Sequence, residues 1–510
     1  MSSVVPTFYD LSCYANPTAN KVRYEKLSQK FISQFGSNVQ FYSRSPGRVN
    51  LIGDHIDYNQ FSVLPMAIDF DVVAAVSTNS SNVINIANTD QKFASESVEL
   101  PPNGELVSID QKNHTWGNYF KCGYIVAQKF IQENYPELKM KGMNLMFDGT
   151  VPNGGGLSSS AAFCVASTLA VIHGNGIEIS KHDLTKITIV SEHYVGVNTG
   201  GMDQCASIYG ETGKCLLIEF KPKLMGYPFK FPSLDDENDD LAFLISNSLE
   251  TSNKHETASI HYNLRVVEMG VASDYLAHKF GLSLPLDSNL KTTGTLRGFM
   301  DEYFEKIKHD KKWDGENVDI GLERLQHMVE LVEGMFTTEQ KSNGFTTDEM
   351  AKEMGLSRED FEAKYLSVME VKFNTLEVYK RAKHVYMESL NVLKCLKLLQ
   401  GSKENFLQEF GAIMNDSQHS LDVLNNSSSK KLNTICEIAL KNGAYGSRVT
   451  GAGWGGSLVH LTTVKKLPGL MSSLTTQYYR KAFPQITNEE LSNALVDTKP
   501  AAGSCIIIME

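Results

Sequence analysis

The sequence predicts an α+β fold divided into two domains. Its 510 residues favour two or three domains with large buried cores. Short strand-like runs alternate with helical segments from about residue 39 to 220, and the half that follows is mostly helical. Between residues 222 and 240 the composition shifts to proline, glycine and the acidic run LDDENDD, which is typical of a linker. We therefore divide the chain into an N-terminal domain over 1–235 and a C-terminal domain over 236–510.

Composition narrows the class of protein. The apolar share of 42% and the charged share of 21% are typical of a globular protein, and the net charge of −11 argues against a chain that coats nucleic acid or an anionic membrane. The sequence contains no run of eighteen apolar residues, and its first residues do not resemble a signal peptide. Its eight cysteines form no CxxC pair and show no zinc-ligand spacing, which favours reduced thiols. We expect a cytoplasmic protein.

Hydrophobic periodicity predicts the individual elements. Helical spacing predicts helices over about 20–35, 118–133, 161–172, 181–195, 319–336 and 375–400. Alternating or continuous apolar runs predict strands over 39–44, 70–77, 83–88, 142–147, 214–220 and 457–461. Residues 337–366 mix charges with small helical patterns and are interpreted as a surface insertion, and residues 425–431 (NNSSSKK) as a solvated loop.

A glycine-rich turn between a predicted strand and a predicted helix is the first candidate site. Residues 151–162 read VPNGGGLSSSAA. Glycines allow the backbone to approach a ligand closely, and the free N–H groups of a helix's first turn favour an anion. Ser158, Ser159 and Ser160 add hydroxyls that could cap the helix or reach a metal ion. The stretch is not a P-loop, because no lysine follows the glycines, so a phosphate cradle and an ordinary turn before a serine-capped helix both stay open.

A second candidate lies earlier in the chain, where residues 44–59 read RSPGRVNLIGDHIDYN. Arg48, Asp54, His55 and Asp57 crowd around a turn between strand-like runs. Carboxylates and an imidazole this close together offer acceptors and a donor to a polyhydroxylated ligand. The alternative is a salt-bridged surface loop.

Two further stretches carry glycine turns. In SEHYVGVNTGGMDQ, over 191–204, Glu192 sits near the predicted end of a helix and Asp203 follows a Gly-Gly turn. Asp203 could face a substrate or merely cap the next helix. Residues 450–456 read TGAGWGG, and four glycines in seven residues allow close approach to another loop or to a phosphate.

Taken together and in this order, the four stretches resemble the motifs of the GHMP small-molecule kinases, most closely the fungal type of the galactokinase branch. RSPGRVNLIGDHIDYN resembles the sugar-binding signature of that branch, GGGLSSSAA its ATP loop and GAGWGG its third motif. The resemblance extends from about residue 39 to the end of the chain. It implies an α+β domain at each end with the active site in the cleft between them. It also implies an enzyme that transfers the γ-phosphate of ATP to the anomeric hydroxyl of galactose, with Mg²⁺ as cofactor.

The resemblance also implies roles for individual residues. It places Asp203 beside the anomeric hydroxyl as the catalytic base, with Arg48 next to it. The remaining sugar contacts that it implies are Asp54, His55, Asp57, Gly200, Gly201 and Tyr262. The implied ATP contacts are Gly154, Gly156, Ser158, Ser160, Ser252, Asn253 and Lys254, and the implied Mg²⁺ ligands are Ser160 and Glu192. We expect Asp203 mainly to orient the hydroxyl and to take its proton late, because phosphoryl transfer depends mostly on positioning and charge neutralisation.

Two departures and three alternatives accompany the resemblance. The galactokinase signature usually has Glu where this chain has Asp54, and fungal members often have Asn where this chain has Thr199. A kinase for N-acetylgalactosamine carries very similar motifs. A galactose- and ATP-binding sensor that engages a transcriptional repressor has lost residues from the Ser-Ala run, which is complete here over 157–162. A nucleotide-binding structural protein would explain only the glycine turn. Catalysis is therefore favoured, with a repressor protein as a candidate additional partner.

Overall fold

A computed structural model describes residues 3–101, 104–109, 115–152, 155–191, 194, 200–234, 236, 238–250, 257–401 and 404–509. The helices in these ranges are α1 Pro17–Phe35, α2 Gly117–Asn134, α3 Ser159–Gly174, α4 Lys181–Ile189, α5 Met202–Tyr209, α6 Tyr262–Phe280, α7 Leu296–Lys306, α8 Val318–Met335, α9 Thr338–Asn343, α10 Thr347–Glu353, α11 Arg358–Phe361, α12 Val378–Gln400, α13 Phe406–Val423, α14 Lys430–Lys441, α15 Leu467–Leu474, α16 Arg480–Ala482 and α17 Asn488–Ala494. The strands are β1 Thr7–Phe8, β2 Phe41–Ile52, β3 Leu64–Asn79, β4 Val83–Asn88, β5 Glu96–Glu99, β6 Gly142–Gly149, β7 Lys214–Glu219, β8 Met225–Lys230, β9 Leu241–Asn247, β10 Gly446–Thr450, β11 Ser457–Thr463, β12 Leu495–Thr498 and β13 Cys505–Ile507.

The first sheet has the strand order β1-β13-β2-β3-β6-β4-β5. Its long pair β2 and β3 is antiparallel, and the pairing shifts register between Pro46 and Arg48 and again between Asn50 and Ile52. Such irregularities bend a strand and re-aim its side chains. The motif over residues 44–59 therefore begins within β2, with Arg48 on the strand, and the turn starts only at Gly53.

Helix α3 covers this sheet by packing on β2 and β3 and against α2. It is apolar nearly all round, and such a helix is stable only when neighbours bury every face. The glycine turn before it is thus held at the edge of the sheet, beside the β2 motif, and the backbone N–H of Arg48 donates to the carbonyl of Leu157 at 3.1 Å.

The second half of the chain adds a sheet of order β10-β11-β9-β12 and a helical layer in which α12 packs against α6, α8 and α13. The fold is α+β as predicted, although the strands β1, β5, β8, β9, β10, β12 and β13 were not predicted. The last strand, β13, returns to the first sheet, where it pairs parallel with β1 and antiparallel with β2. The domain boundary after residue 235 stays a prediction. Within the described part of the chain, none of the helices combines the length and the apolar character needed to cross a bilayer.

Three local predictions were wrong. The helix predicted over 181–195 ends at Ile189. The predicted surface insertion, 337–366, contributes the buried side chains Met350, Phe361 and Tyr365 to the main core. Amphipathic short helices place these apolar residues inward even though the segment is rich in charge.

The predicted solvated loop, 425–431, is also partly buried. Asn425 and Ser427 are inaccessible to solvent. The carbonyl of Ser427 accepts the backbone N–H of Trp454 at 2.8 Å, and the carbonyl of Asn426 accepts the Trp454 indole N–H at 2.7 Å. The loop is polar because it supplies these hydrogen bonds to the third glycine motif, which composition alone does not distinguish from solvation.

Candidate active site

Arg48 and Asp203 meet directly. The Arg48 Nε donates to Asp203 Oδ1 at 2.9 Å, and its Nη1 donates to the carbonyl of Gly156 at 2.6 Å. The Arg48 side chain is almost fully buried, whereas that of Asp203 is 18% exposed. One guanidinium thus joins the carboxylate to the glycine turn, as expected of planar donors that bind two acceptors at once.

Asp203 lies in the first turn of α5, which starts after Gly201. Gly201 has φ +96°, a conformation that favours glycine, and it occupies the N-cap position. None of the described side chains caps this helix, and Asp203 itself does not, so the reading of Asp203 as a helix cap was wrong. The carboxylate is turned toward Arg48 instead.

Asp54 is engaged on both carboxylate oxygens. Its Oδ2 accepts Arg448 Nη2 at 2.6 Å, and its Oδ1 accepts the backbone N–H of Gly451 at 3.1 Å. The residue is only 2% exposed. The alternative of a salt-bridged surface loop was therefore wrong, because this ion pair is buried and joins the β2 motif to the third glycine motif.

His55 is engaged in the same way. Its Nδ1 lies 3.0 Å from the Tyr58 hydroxyl and its Nε2 lies 2.9 Å from the carbonyl of Ala452. A carbonyl only accepts, so Nε2 carries the proton and Nδ1 accepts from Tyr58. Burial lowers the pKa of His55 to about 4 and keeps the ring neutral at pH 7. The ring of Tyr262, at the start of α6, lies 5.5 Å from that of His55.

Asp57 is the carboxylate of this motif that has no side-chain donor among the described residues, although the backbone N–H groups of Asp57 and Tyr58 interact with it. Gly200 lies directly against it, and a Cβ at that position would be 2.3 Å from Asp57 Oδ2. Burial and, secondly, the charge of Asp203 raise the pKa of Asp57 to about 7. Two carboxylates thus share one small space, an arrangement common at sites that bind hydroxyl groups or move protons.

The glycine turn contacts the third glycine motif. Gly156 has φ +71°, and a Cβ there would lie 3.2 Å from the carbonyl of Thr450. A Cβ on Gly451 would lie 2.9 Å from the carbonyl of Gly156. Both positions therefore need glycine, and the close approach expected of TGAGWGG is to another loop.

Ser158 is the N-cap residue of α3 with φ +60°, and its buried hydroxyl has no hydrogen-bond partner among the described residues. It makes no side-chain cap, so the reading of an ordinary serine-capped helix was wrong. A buried, unpartnered hydroxyl beside the free N–H groups of a helix N-terminus suits an anionic ligand.

A cavity of 410 Å³ opens beside the first turn of α3. Its lining combines five aromatic residues with polar and small aliphatic ones. The aromatic residues are Phe93, Trp116, Tyr119, Phe147 and Phe163, the polar ones are Asn88, Thr89, Asp90, Ser159 and Ser160, and Val72, Gly149 and Val151 complete it. Sequence patterns did not indicate this cavity. The one local signal was Trp116, two residues before a predicted helix, which is also the pattern of an ordinary core residue.

Some predicted site residues lie outside the described residues. They are Gly154, Glu192, Ser252, Asn253 and Lys254, together with Thr199. The predicted residues that the structure brings near one another are Arg48, Asp54, His55, Asp57, Gly156, Gly200, Gly201, Asp203 and Tyr262.

Comparison with known proteins identifies the class. The N-terminal domain of the GHMP kinases matches residues 118–211, the C-terminal domain matches 397–472, and the galactokinase galactose-binding signature matches 29–78. The chain is 56% identical to a galactokinase of Schizosaccharomyces pombe over 99% of both chains. It is 45% identical to a galactokinase of Saccharomyces cerevisiae over 99% of this chain and 98% of the other.

The fold agrees with this class. A Lactococcus lactis galactokinase crystallised with galactose superimposes with a TM-score of 0.61 at 21% identity, covering 94% of this chain and 99% of the other. The protein is therefore a GHMP kinase by fold, and an ATP-dependent sugar kinase by class. Within that class it belongs to the galactokinase family. The family predicted from the motifs is confirmed.

Proposed function

We propose that the protein transfers the γ-phosphate of ATP to the anomeric hydroxyl of α-D-galactose, giving galactose 1-phosphate and ADP. The observation that carries this is the Arg48 side chain, which binds Asp203 on one side and the carbonyl of Gly156 on the other. Arg48 thereby holds the Asp203 carboxylate, which is proposed to bind the sugar hydroxyl, beside the glycine turn, which is proposed to bind the phosphates. Phosphoryl transfer needs this positioning above all.

Asp203 is the proposed catalytic base. Arg48 occupies Oδ1, and no described residue hydrogen-bonds Oδ2, which is left to accept the hydroxyl proton. The ion pair fixes the direction of the carboxylate, and the Arg48 charge stabilises negative charge that develops on the transferring group. Asp203 therefore orients the hydroxyl first and takes its proton late.

The sugar lies against Asp57, Tyr262 and the Gly200–Gly201 turn in this proposal. Asp57 supports the assignment because no side chain among the described residues donates to its carboxylate, and Gly200 because only hydrogen fits beside it. Asp54 and His55 complete the wall of the sugar site while binding the third glycine motif. The missing methylene at Asp54 is compatible with this role, since the short carboxylate already reaches two donors.

ATP is the co-substrate implied by the kinase family. We assign its phosphates to Gly154, Gly156, Ser158 and Ser160, supported by the unpartnered Ser158 hydroxyl, and its purine to the aromatic cavity beside Ser160. Ser252, Asn253 and Lys254 are further proposed nucleotide contacts. Ser160 and Glu192 would hold Mg²⁺, whose oxygen-ligand preference they suit. When bound, the ion neutralises charge on the phosphates.

The test is a coupled ADP-release assay of the full chain on galactose, N-acetylgalactosamine and glucose, with and without magnesium. We expect galactose to be the preferred acceptor and activity to require the metal. Absence of galactose-dependent ADP release, or faster release with N-acetylgalactosamine, would refute the proposal. The repressor partner and the cytoplasmic location stay predictions.

A further inference from the structure

A buried carboxylate behind the sugar motif has no part in the proposed chemistry. Glu388 lies in the middle of α12, with a side chain inaccessible to solvent. Its Oε1 accepts the backbone N–H of Gly53 at 2.7 Å and that of Asp54 at 3.2 Å. The same oxygen accepts the Ser417 hydroxyl at 2.9 Å and Arg448 Nη2 at 3.3 Å. Four donors from three parts of the chain thus converge on one oxygen.

Arg448 completes the connection. Its Nη2 also donates to Asp54 Oδ2 at 2.6 Å, its Nη1 to the carbonyl of Asn50 at 3.1 Å, and its Nε to Ser417 Oγ at 3.0 Å. The guanidinium therefore binds both ends of the segment 50–54. Glu388 binds the backbone N–H groups of Gly53 and Asp54 in the same segment. Where a strand ends in a turn, its backbone N–H and C=O groups lose their hydrogen-bond partners in the sheet, and when buried they need other partners such as these side chains.

The turn itself has no freedom to compensate. Gly53 has φ +108°, and a Cβ there would lie 3.0 Å from three atoms of Val63. Asp54, His55 and Asp57 follow this glycine directly, so the direction of its peptide groups sets where their side chains point. A small displacement of groups that position a substrate has large effects on binding and rate.

We propose that Glu388 is a positioning residue of the sugar site: its carboxylate fixes the Gly53–Asp54 turn and, through it, the side chains that face galactose. The proposal rests on the proposed function. Glu388 touches neither substrate, because its contacts are with the turn, Ser417 and Arg448. Because the Gly53–Asp54 turn precedes the proposed sugar-binding side chains, loss of the Glu388 carboxylate should weaken the binding of galactose much more than that of ATP.

The test is Glu388→Gln, which keeps the volume and removes the charge. An amide either turns its oxygen to the donors with a weaker bond or places its NH₂ against them, and on the Oε2 side the described part of the chain offers it no hydrogen-bond partner. We expect the KM for galactose to rise about tenfold, since hydrogen bonds to charged groups are worth that much, while the KM for ATP stays within about twofold. A galactose KM unchanged from wild type, or a fall in kcat alone, would overturn the proposal.

Asp71→Asn is the matched control. Asp71 is equally inaccessible and binds two arginines, Arg23 and Arg44, but it has no contact with the segment 50–58. It should lower the melting temperature without raising the galactose KM. A rise equal to that of Glu388→Gln would mean general destabilisation and would refute the positioning role.

Ser417→Ala serves if Glu388→Gln does not fold. It keeps the carboxylate and removes one of its four donors, so the galactose KM should rise about threefold, and no rise would overturn the proposal. Loss of galactose phosphorylation by the wild-type chain would instead refute the proposed function, which keeps the two failures apart.

Discussion

Removing the two sides of the Arg48–Asp203 pair, separately and together, tests whether they work as a unit. Asp203→Asn keeps the shape but loses the base, which typically contributes ~10²–10⁴-fold to the rate. Arg48→Ala loses a 2.9 Å bond to the carboxylate and a 2.6 Å bond to the carbonyl of Gly156. A hydrogen bond to a charged group is worth about 1.5–3 kcal/mol, so kcat should fall about 10- to 150-fold from the first bond alone.

The double variant decides the question. If Arg48 acts by holding Asp203, the double variant should be about as slow as Asp203→Asn, whereas independent effects would multiply. The assay is coupled ADP release at saturating galactose and ATP, with melting temperature as the check on folding. Arg23→Ala is the matched control, because it loses ion pairs to Asp71 and Asp148 on the same sheet but outside the cleft. Near-normal turnover of either folded single variant, or a multiplicative double, would refute the reasoning.

Three further variants probe other parts of the site. Asp57 has a raised pKa of about 7, so between about pH 4 and 7 it keeps a proton in the folded protein that the unfolded chain has lost, and the stability of the fold falls as the pH rises through this range. Asp57→Asn removes the carboxylate and should therefore raise the melting temperature more at pH 8 than at pH 5. An equal change at both pH values would contradict this. Gly156→Ala places a Cβ on a residue with φ +71°, 3.2 Å from the carbonyl of Thr450, so the free energy of unfolding measured with denaturant should fall by about 1–2 kcal/mol. The KM for ATP should also rise. Wild-type stability of this variant would contradict the argument. Trp116→Ala should raise the KM for ATP about tenfold with the galactose KM unchanged, and Trp116→Phe should restore most of it; equal ATP affinity in all three proteins would exclude the aromatic cavity as the purine site.

The elements that could be predicted from the sequence depend on local patterns. The turn before α3 was recognisable because three adjacent glycines and an apolar run of helical length stand next to each other. The strand before it, Gly142–Gly149, and the helix Pro17–Phe35 have similarly local signals and were predicted within a few residues. The meeting of Arg48 and Asp203 was predicted only through the family resemblance, since 155 residues separate them.

The parts that could not be predicted depend on distant partners. Arg448, which binds Asp54, lies 394 residues further along the chain, and no periodic pattern marks such a pair. The strand Cys505–Ile507 pairs with β2 at the opposite end of the sequence, which the division at residue 235 did not anticipate. The aromatic cavity was missed because aromatic residues at helical or strand spacing look the same whether they pack in a core or line an opening.

Asp54 and His55 show how far a motif can be interpreted without its surroundings. Polar residues after a glycine turn indicate a ligand site, yet the structure pairs both Asp54 oxygens and both His55 nitrogens with protein atoms, including Gly451 and Ala452 of the third glycine motif. The first motif thus depends on the third for its conformation. Because Gly451 admits no Cβ beside the carbonyl of Gly156, the third motif in turn fixes the glycine turn before α3. The three motifs therefore form one connected wall, so a change in any of them should affect both substrates. A change at Glu388, whose carboxylate binds the Gly53–Asp54 turn as well as Arg448, should affect galactose more than ATP.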